Sequence, residues 1–171
     1  MDELCERLAK DLDGNFAELM EALGPPVYSG LRRLYPETAE DLAQEAFIRA
    51  YRALSTYDRE RIRELSLRGW IWTIALNLGR NHARDRSRRP QPAELLDMHP
   101  VSDPEPVDAA LWDARLSALS AVQRRAVVLR HVVGLSYADL SIALDRPEGT
   151  VKADVSRGLA RLRDHIEQES S

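Results

Sequence analysis

The sequence predicts an all-α protein made of two small helical domains joined by a flexible acidic linker. Three observations carry that expectation. Leu, Ala, Arg and Glu, all good helix formers, dominate, and Gly is sparse at 8 of 171 residues. Apolar residues recur at helical spacing in several long segments, and no alternating β-rich run occurs. Five of the nine prolines fall between Pro90 and Pro106, where pre-proline sterics favour extended chain. That stretch reads as a linker over 90–111, between a first domain at 1–89 and a second at 112–171. Hydrophobic residues make up 44% of the chain, enough for a core in each part.

Composition also excludes classes of function. Cys5 is the only cysteine, so no disulfide framework forms within one chain and a reducing cytoplasm fits. No apolar run approaches the ~18 residues of a membrane span, so no membrane insertion is expected. The acidic start Met1-Asp2-Glu3 lacks the basic opening of a signal peptide. His82, His99, His131 and His165 show no metal-ligand spacing, Cys5 reads as part of a frayed terminus, and no phosphate-binding glycine loop is present. No catalytic residue, metal, cofactor or small-molecule substrate is expected.

The formal net charge of −4 argues at first against nucleic acid, but its distribution argues for separate partner surfaces. Residues 1–24 carry a net of −5 and residues 91–116 another −5. Residues 80–89, with Arg80, Arg84, Arg86, Arg88 and Arg89 against Asp85, carry +4.

Taken in order, a first helix is expected over roughly Asn15–Leu23, ending at Gly24-Pro25-Pro26, and a second up to Leu34, ahead of Pro36. The third, from Thr38 to Leu54, is the most legible. Ala43, Phe47, Ala50 and Leu54 form a buried stripe, widened by Leu42, Ala46 and Ala53. Asp41, Glu45, Arg49 and Arg52 form a polar stripe elsewhere. By spacing alone it reads most simply as a solvated face with i,i+4 ion pairs. A fourth helix is expected over Gly69–Arg86. Trp70, Ile71, Ile74, Ala75 and Leu78 make its buried face, and Trp72 and Leu76 lie between faces. Thr73, Asn77, Arg80 and Arg84 line another face, with Asn81 at its edge. Amides and guanidiniums are the donors that phosphates and base edges need; the alternative is a solvated helix end complementing the macrodipole.

The second domain carries the strongest local signal. Ser136 and Asp139 form a capping box for a short helix that ends near Leu144. Asp145-Arg146 makes a tight turn, and Pro147 suits the start of the next helix. Two helices so joined make a helix-turn-helix or, more blandly, an αα-hairpin. In the second helix Val151, Val155, Leu159, Leu162 and Ile166 form an apolar stripe. Lys152, Ala153, Ser156, Arg157, Ala160 and Arg161 lie opposite, where small residues between basic ones suit entry into a major groove. Asp154 is expected at the exposed edge of that face, where its carboxylate would repel phosphates or accept a hydrogen bond from a cytosine amine.

At these residues the chain resembles a known family. Asp41-Leu-Ala-Gln44-Glu45-Ala-Phe47-Ile-Arg49-Ala-Tyr51 resembles the core-polymerase-binding motif in region two of bacterial sigma factors. The segment from Trp70 to Arg84 resembles the helix that melts and reads minus-ten DNA, and Leu135 to Lys152 resembles region four, which reads the minus-thirty-five element. Their order and spacing are similar to the extracytoplasmic-function (ECF) group of the sigma-70 family, over roughly residues 15–166. The resemblance implies core RNA polymerase, promoter DNA and an anti-sigma factor as partners. It implies polymerase binding by Asp41, Gln44, Glu45, Phe47 and Arg49. It implies minus-ten contacts by Trp72, Thr73, Asn77, Arg80, Asn81 and Arg84, and minus-thirty-five contacts by Thr150, Lys152, Ala153, Ser156, Arg157 and Arg161. Trp72 and Tyr57 are candidates for stacking on a flipped base, or are core. Thr56–Arg68 is slightly longer than the family's usual base-capturing loop, so its pocket residues are unassigned. Two other readings stay open: a helix-turn-helix regulator acting without polymerase, and a sigma mimic that sequesters an anti-sigma factor.

Overall fold

A computed structural model describes residues 1–88 and 109–169, with side chains described for 1–85 and 109–169. Most of the expected linker, and Arg89 of the basic run, lie outside the described residues. Among those described there is no strand. The helices are α1 (Asp2–Lys10), α2 (Leu12–Leu34), α3 (Ala39–Leu54), α4 (Arg59–Glu64), α5 (Leu67–Arg88), α6 (Ala109–Ser117), α7 (Ala121–Val127), α8 (Tyr137–Leu144) and α9 (Glu148–Glu169).

The N-terminus is not frayed. Its first nine helical residues, α1, bury Leu4, Cys5, Leu8 and Ala9 against α4 and α2. The Cys5 thiol donates to the Leu65 carbonyl at 3.5 Å, and burial pushes its pKa up, with the Asp2 carboxylate adding to the shift. Asp11 then caps α2, its carboxylate accepting from the Gly14 amide at 3.0 Å.

The two helices expected either side of Gly24-Pro25-Pro26 are one. α2 runs through both prolines. A proline inside a helix loses an amide and costs about 3 kcal/mol. Leu19, Leu23, Val27 and Leu31, all on one face and buried, offset that at roughly 1.5–3 kcal/mol each. The prolines fall outside that face, so the buried stripe continues unbroken.

α3 matches its expected span, and Ala39, Leu42, Ala46, Phe47, Ala50 and Leu54 are buried. Inside the loop expected at 56–68, Asp58 caps the short helix α4 by accepting from the Arg61 amide at 2.8 Å. α5 packs on α3 along one side and on α8 along another. This two-sided burial encloses Trp72 and Leu76, which helical spacing alone placed between faces; both are 1% exposed.

In the second part, α6 opens at Ala109, inside the expected linker. Ser120 and Gln123 cap α7 reciprocally. The helix continues as a π-helical turn, Val128–Val132, with the Val133 amide donating to the Val128 carbonyl at 3.1 Å. Gly134, at φ 77, reverses the chain, and the Arg130 guanidinium fastens the turn by donating to the Leu135 carbonyl at 2.9 Å. Leu129, Val133, Leu135, Leu140, Ala143 and Val151 share one buried cluster with Leu67, Ile71 and Leu76 of α5. The two expected domains therefore fold onto a common core. A smaller cluster, Leu116, Leu119, Val127, Val128 and Leu162, lies within the second part.

Candidate protein and nucleic-acid interfaces

Three faces carry the residues singled out by the sequence. On α3, Asp41, Gln44 and Arg49 are exposed and Glu45 is half-buried. Arg49 Nε donates to Glu45 Oε1 at 2.6 Å, an i,i+4 pair. Phe47 lies where the apolar stripe places it, not on the exposed face that the resemblance implies for it. It is 5% exposed and belongs to the core, because it sits on the face that α3 turns toward α2 and α5. It lies beneath the exposed stripe. Ile48 was missed. At 46% exposure it lies seven residues from Asp41 and three from Glu45, an apolar centre within a charged rim. Its signal was the spacing itself. On the neighbouring turn the Tyr51 hydroxyl donates to Asp13 Oδ1 at 2.5 Å, and that bond to a carboxylate pushes the phenol pKa up.

On α5, Asn77, Arg80, Asn81 and Arg84 are exposed on one face. Arg80 donates to the Asn77 side-chain carbonyl, which joins an amide and a guanidinium into one unit. Trp72 is a correction. Its ring is enclosed in the core and abuts Gly30 of α2, where an added Cβ would lie 2.6 Å from the indole. It has no face to offer a base. Tyr57 remains half-exposed, its ring centroid 6.1 Å from that of Trp70 and 3.6 Å beneath the Arg61 guanidinium.

Thr73 is half-buried against α8. Its hydroxyl lies 3.1 Å from the Gly69 carbonyl and 3.2 Å from the Ile142 carbonyl. Just before α5 begins, the Ser66 hydroxyl donates to Asp139. The approach is close enough that a Cβ on Gly69 would stand 2.9 Å from the Asp139 carbonyl oxygen. α8 therefore lies along the first half of the stripe that begins at Thr73 and leaves its second half open. Where the cover ends, Arg80, Arg125 and Arg146 border a cleft of about 180 Å³.

The helix-turn-helix forms as its caps predict. The Ser136 hydroxyl accepts from the Asp139 amide at 3.0 Å and α8 ends at Asp145 in the left-handed region, φ 51. Lys152, Ser156, Arg157 and Arg161 are exposed on α9, with Thr150 and Ala153 half-buried beside them. Two positions are rotated from expectation. Asp154 is 4% exposed and Leu159 is 38% exposed. The buried arc of α9 runs through Val151, Asp154, Val155, Gly158 and Leu162, because α7 packs there so closely that a Cβ on Gly158 would meet Val127 at 2.6 Å. Leu159 turns instead into a groove of about 770 Å³ with Trp112, Leu116, Val132, Leu162 and Ile166, rimmed by Arg33, Arg163 and Glu167. Arg33 of α2 ties the two parts together at this groove by donating to Asp113 at 2.7 Å.

Among the described residues no group of His, Cys, Asp or Glu is arranged to hold a metal ion, and no helix is long and apolar enough to cross a membrane.

Comparisons with known proteins agree with this layout. The family profile described as Sigma-70 region 2 matches residues 19–89, and that described as Sigma-70, region 4 matches residues 110–162. The chain is 36% identical over 143 residues to the ECF RNA polymerase sigma factor SigE of Mycolicibacterium smegmatis, covering 78% of this chain and 53% of that protein. It thus spans about half of that relative's length. It is 32% identical over 155 residues to the RNA polymerase sigma-E factor of Streptomyces coelicolor, covering 88% of this chain and 85% of the relative. Among solved structures it is similar to the sigma factor RpoE in a co-crystal with the anti-sigma factor NepR from Bartonella quintana. That match has a TM-score of 0.72 and 26% identity, and covers 89% of this chain and 96% of the other. The fold is also that of CnrH in complex with the cytosolic domain of CnrY, with a TM-score of 0.73 at 20% identity over 98% of this chain and 97% of the other.

Proposed function

Because the chain belongs to the ECF group of the sigma-70 family, we propose that it joins core RNA polymerase through α3, opens minus-ten DNA with α5 and docks on the minus-thirty-five element with α9. The observation that supports this best is the presence in one chain of three separate exposed faces, each with the chemistry its partner requires. Asp41, Gln44, Glu45 and Arg49 surround Ile48 and suit a basic helical partner on the polymerase. Asn77, Arg80, Asn81 and Arg84 suit phosphates and base edges. Thr150, Lys152, Ala153, Ser156, Arg157 and Arg161 suit a major groove. Residues 1–89 act as the polymerase and minus-ten unit and residues 112–171 as the upstream reader.

A base captured from duplex DNA must unstack, at about a few kcal/mol. Tyr57, half-exposed beside Trp70, is the aromatic placed to offset that by ~1–3 kcal/mol. Thr73 joins the minus-ten surface only after α8 leaves α5, so the closed arrangement is an inactive form that polymerase and promoter must open. The apolar groove beside Trp112 and Leu159 suits an amphipathic segment of an anti-sigma factor, which would hold the closed form. The protein works in the cytoplasm and performs no chemistry of its own.

Run-off transcription with core polymerase on a genomic promoter library tests this. Promoter-specific transcripts that depend on the chain are the expected result. DNA binding without any association with core polymerase would instead make it an autonomous regulator, and binding to an anti-sigma factor without transcription would make it a mimic.

A further inference from the structure

Asp154 is the buried charged residue of the described structure. Its two carboxylate oxygens are divided between two arginines. Oδ2 accepts from Arg146 Nη1, and Oδ1 accepts from Arg157 Nη2 at 2.6 Å. The arginines come from different elements. Arg146 belongs to the turn between α8 and α9, whereas Arg157 stands three residues beyond Asp154 on α9. The turn is itself held at further points, for the Arg146 amide donates to the Ser141 carbonyl at 3.1 Å and the Ser141 hydroxyl donates to the Arg146 carbonyl at 2.6 Å.

Stability alone does not call for this arrangement. A carboxylate drawn out of water has a large desolvation cost, and replacing buried ion pairs by apolar residues of similar volume is often neutral or stabilising. What the arrangement achieves is placement. The Asp154 side chain is 6% exposed, while those of Arg146 and Arg157 are 37% and 60% exposed. Each guanidinium has five donors in a rigid fork. A single bond to Asp154 leaves most of them directed away from the carboxylate. Long side chains ordinarily lose rotamer freedom when they bind; here that ordering is already present in the folded chain.

We propose that Asp154 is a positioning residue for DNA recognition, holding Arg146 from the turn and Arg157 from the middle of α9 as a preset pair of guanidiniums. The proposal rests on α9 being the minus-thirty-five reader, and it adds Arg146 to the residues that contact DNA. It also reverses the expectation drawn from spacing. Asp154 faces the protein interior, so it does not repel phosphates; it aims the cations that attract them. In the closed form Arg146 borders the cleft that also contains Arg80 and Arg125. Opening that cleft separates like charges and frees Arg146 for DNA.

The test uses holoenzyme assembled from the full chain and core polymerase, on a responsive promoter with its upstream element intact or scrambled. The variants are Asp154→Asn, Asp154→Ala, Arg146→Gln, Arg157→Gln and the Asp154→Asn/Arg157→Gln pair. Circular dichroism, thermal midpoint and polymerase affinity are measured alongside. Asp154→Asn keeps the shape of the side chain and is the variant of record if Asp154→Ala unfolds. The expected result is about a tenfold fall in preference for the intact element in Asp154→Asn, with polymerase affinity unchanged. The double variant should be no worse than the poorer single variant, since both remove the same positioned contact. Additive losses, or an equal loss on intact and scrambled promoters, would assign Asp154 a purely structural role and overturn the proposal. If the parent holoenzyme itself ignores the upstream element, the assignment of α9 fails and the proposal falls with it. If the parent discriminates and Asp154→Asn does so equally well, the positioning role alone is refuted.

Discussion

Replacing Gly69 by alanine separates the stability of the first part of the chain from the stability of its contact with the second. Gly69 lies within α5, where alanine is the better helix former by about 0.8–1.0 kcal/mol. The new methyl group, however, would stand 2.9 Å from the Asp139 carbonyl oxygen, 3.0 Å from Ile142 Cβ and 3.1 Å from Asp139 Cα. Two of these atoms are backbone, so no side-chain rotation relieves the clash and α8 must move. Overpacking of this kind costs roughly 1–3 kcal/mol, a shift of about 5–150-fold in favour of the open form. On the proposed function, where α8 against Thr73 competes with minus-ten DNA, affinity for that DNA is reduced by the fraction of chains that are closed. Gly69→Ala should therefore tighten binding of a single-stranded minus-ten oligonucleotide by a factor in that range. The assay is a fluorescence-anisotropy titration of the free chain, with small-angle X-ray scattering reporting the radius of gyration. A Gly69→Ala variant that is fully folded yet binds the oligonucleotide like the parent, at the same radius of gyration, would refute the reasoning that α8 competes with DNA.

Three other outcomes are expected. Asp41→Lys with Glu45→Lys should weaken association with core polymerase while circular dichroism stays intact, because both side chains lie outside the core and the lost Glu45–Arg49 pair is worth only ~0.3–0.5 kcal/mol. An unchanged polymerase affinity would remove α3 from the interface. Trp72→Ala should lower the urea-unfolding free energy by ~3–5 kcal/mol as an emptied core site; a chain that kept its stability and lost only DNA binding would restore Trp72 as a stacking residue. Burial raises the Cys5 thiol pKa in the folded state, so the folded chain favours the protonated thiol. The resulting stability is fully present below the unfolded pKa and is lost as pH rises through the folded pKa. The parent should therefore lose stability more steeply than Cys5→Ala in the alkaline range, and parallel urea midpoints for the two would contradict this.

The parts of the fold legible in the sequence were those whose cause is local. The apolar stripe of α3 and the caps at Ser136 and Asp145 are set by residues within a few positions of one another. α2 was divided at Pro25-Pro26 because the proline penalty is local, whereas the burial that outweighs it comes from α3 and other partners far along the chain. α1 is not legible because nine residues, though mostly good helix formers, make too short a helix to hold by itself until Cys5 and Leu8 find α4 and α2. The interfaces behaved alike. The exposed donors of α5 beyond Thr73 were read from one helix alone, while the burial of Trp72 required knowing that α5 has neighbours on two sides. Asp154 was the clearest failure and had a readable signal. It stands three residues after Val151 and four before Gly158, within an apolar arc whose small member invites close packing. The contact between α5 and α8 had no signal at all, since nothing local marks Gly69 as the place where residues 139 and 142 will come to rest.

The core shared by α5 and the second part also bears on synthesis. A ribosome completes residues 1–88 well before α8 exists, and during that interval Leu67, Ile71 and Leu76 lack the neighbours Leu135, Leu140 and Ala143 that later cover them. At about 5–20 residues per second, the residues from 89 to 144 that complete α8 take roughly 3–11 s to emerge. For those seconds the nascent chain displays an apolar strip beside the α5 face proposed for DNA. A chaperone that recognises exposed apolar helix, or an early-docking polymerase, meets the protein in its open form first. The packing of α5 against α8 is then reached only once α8 has been made.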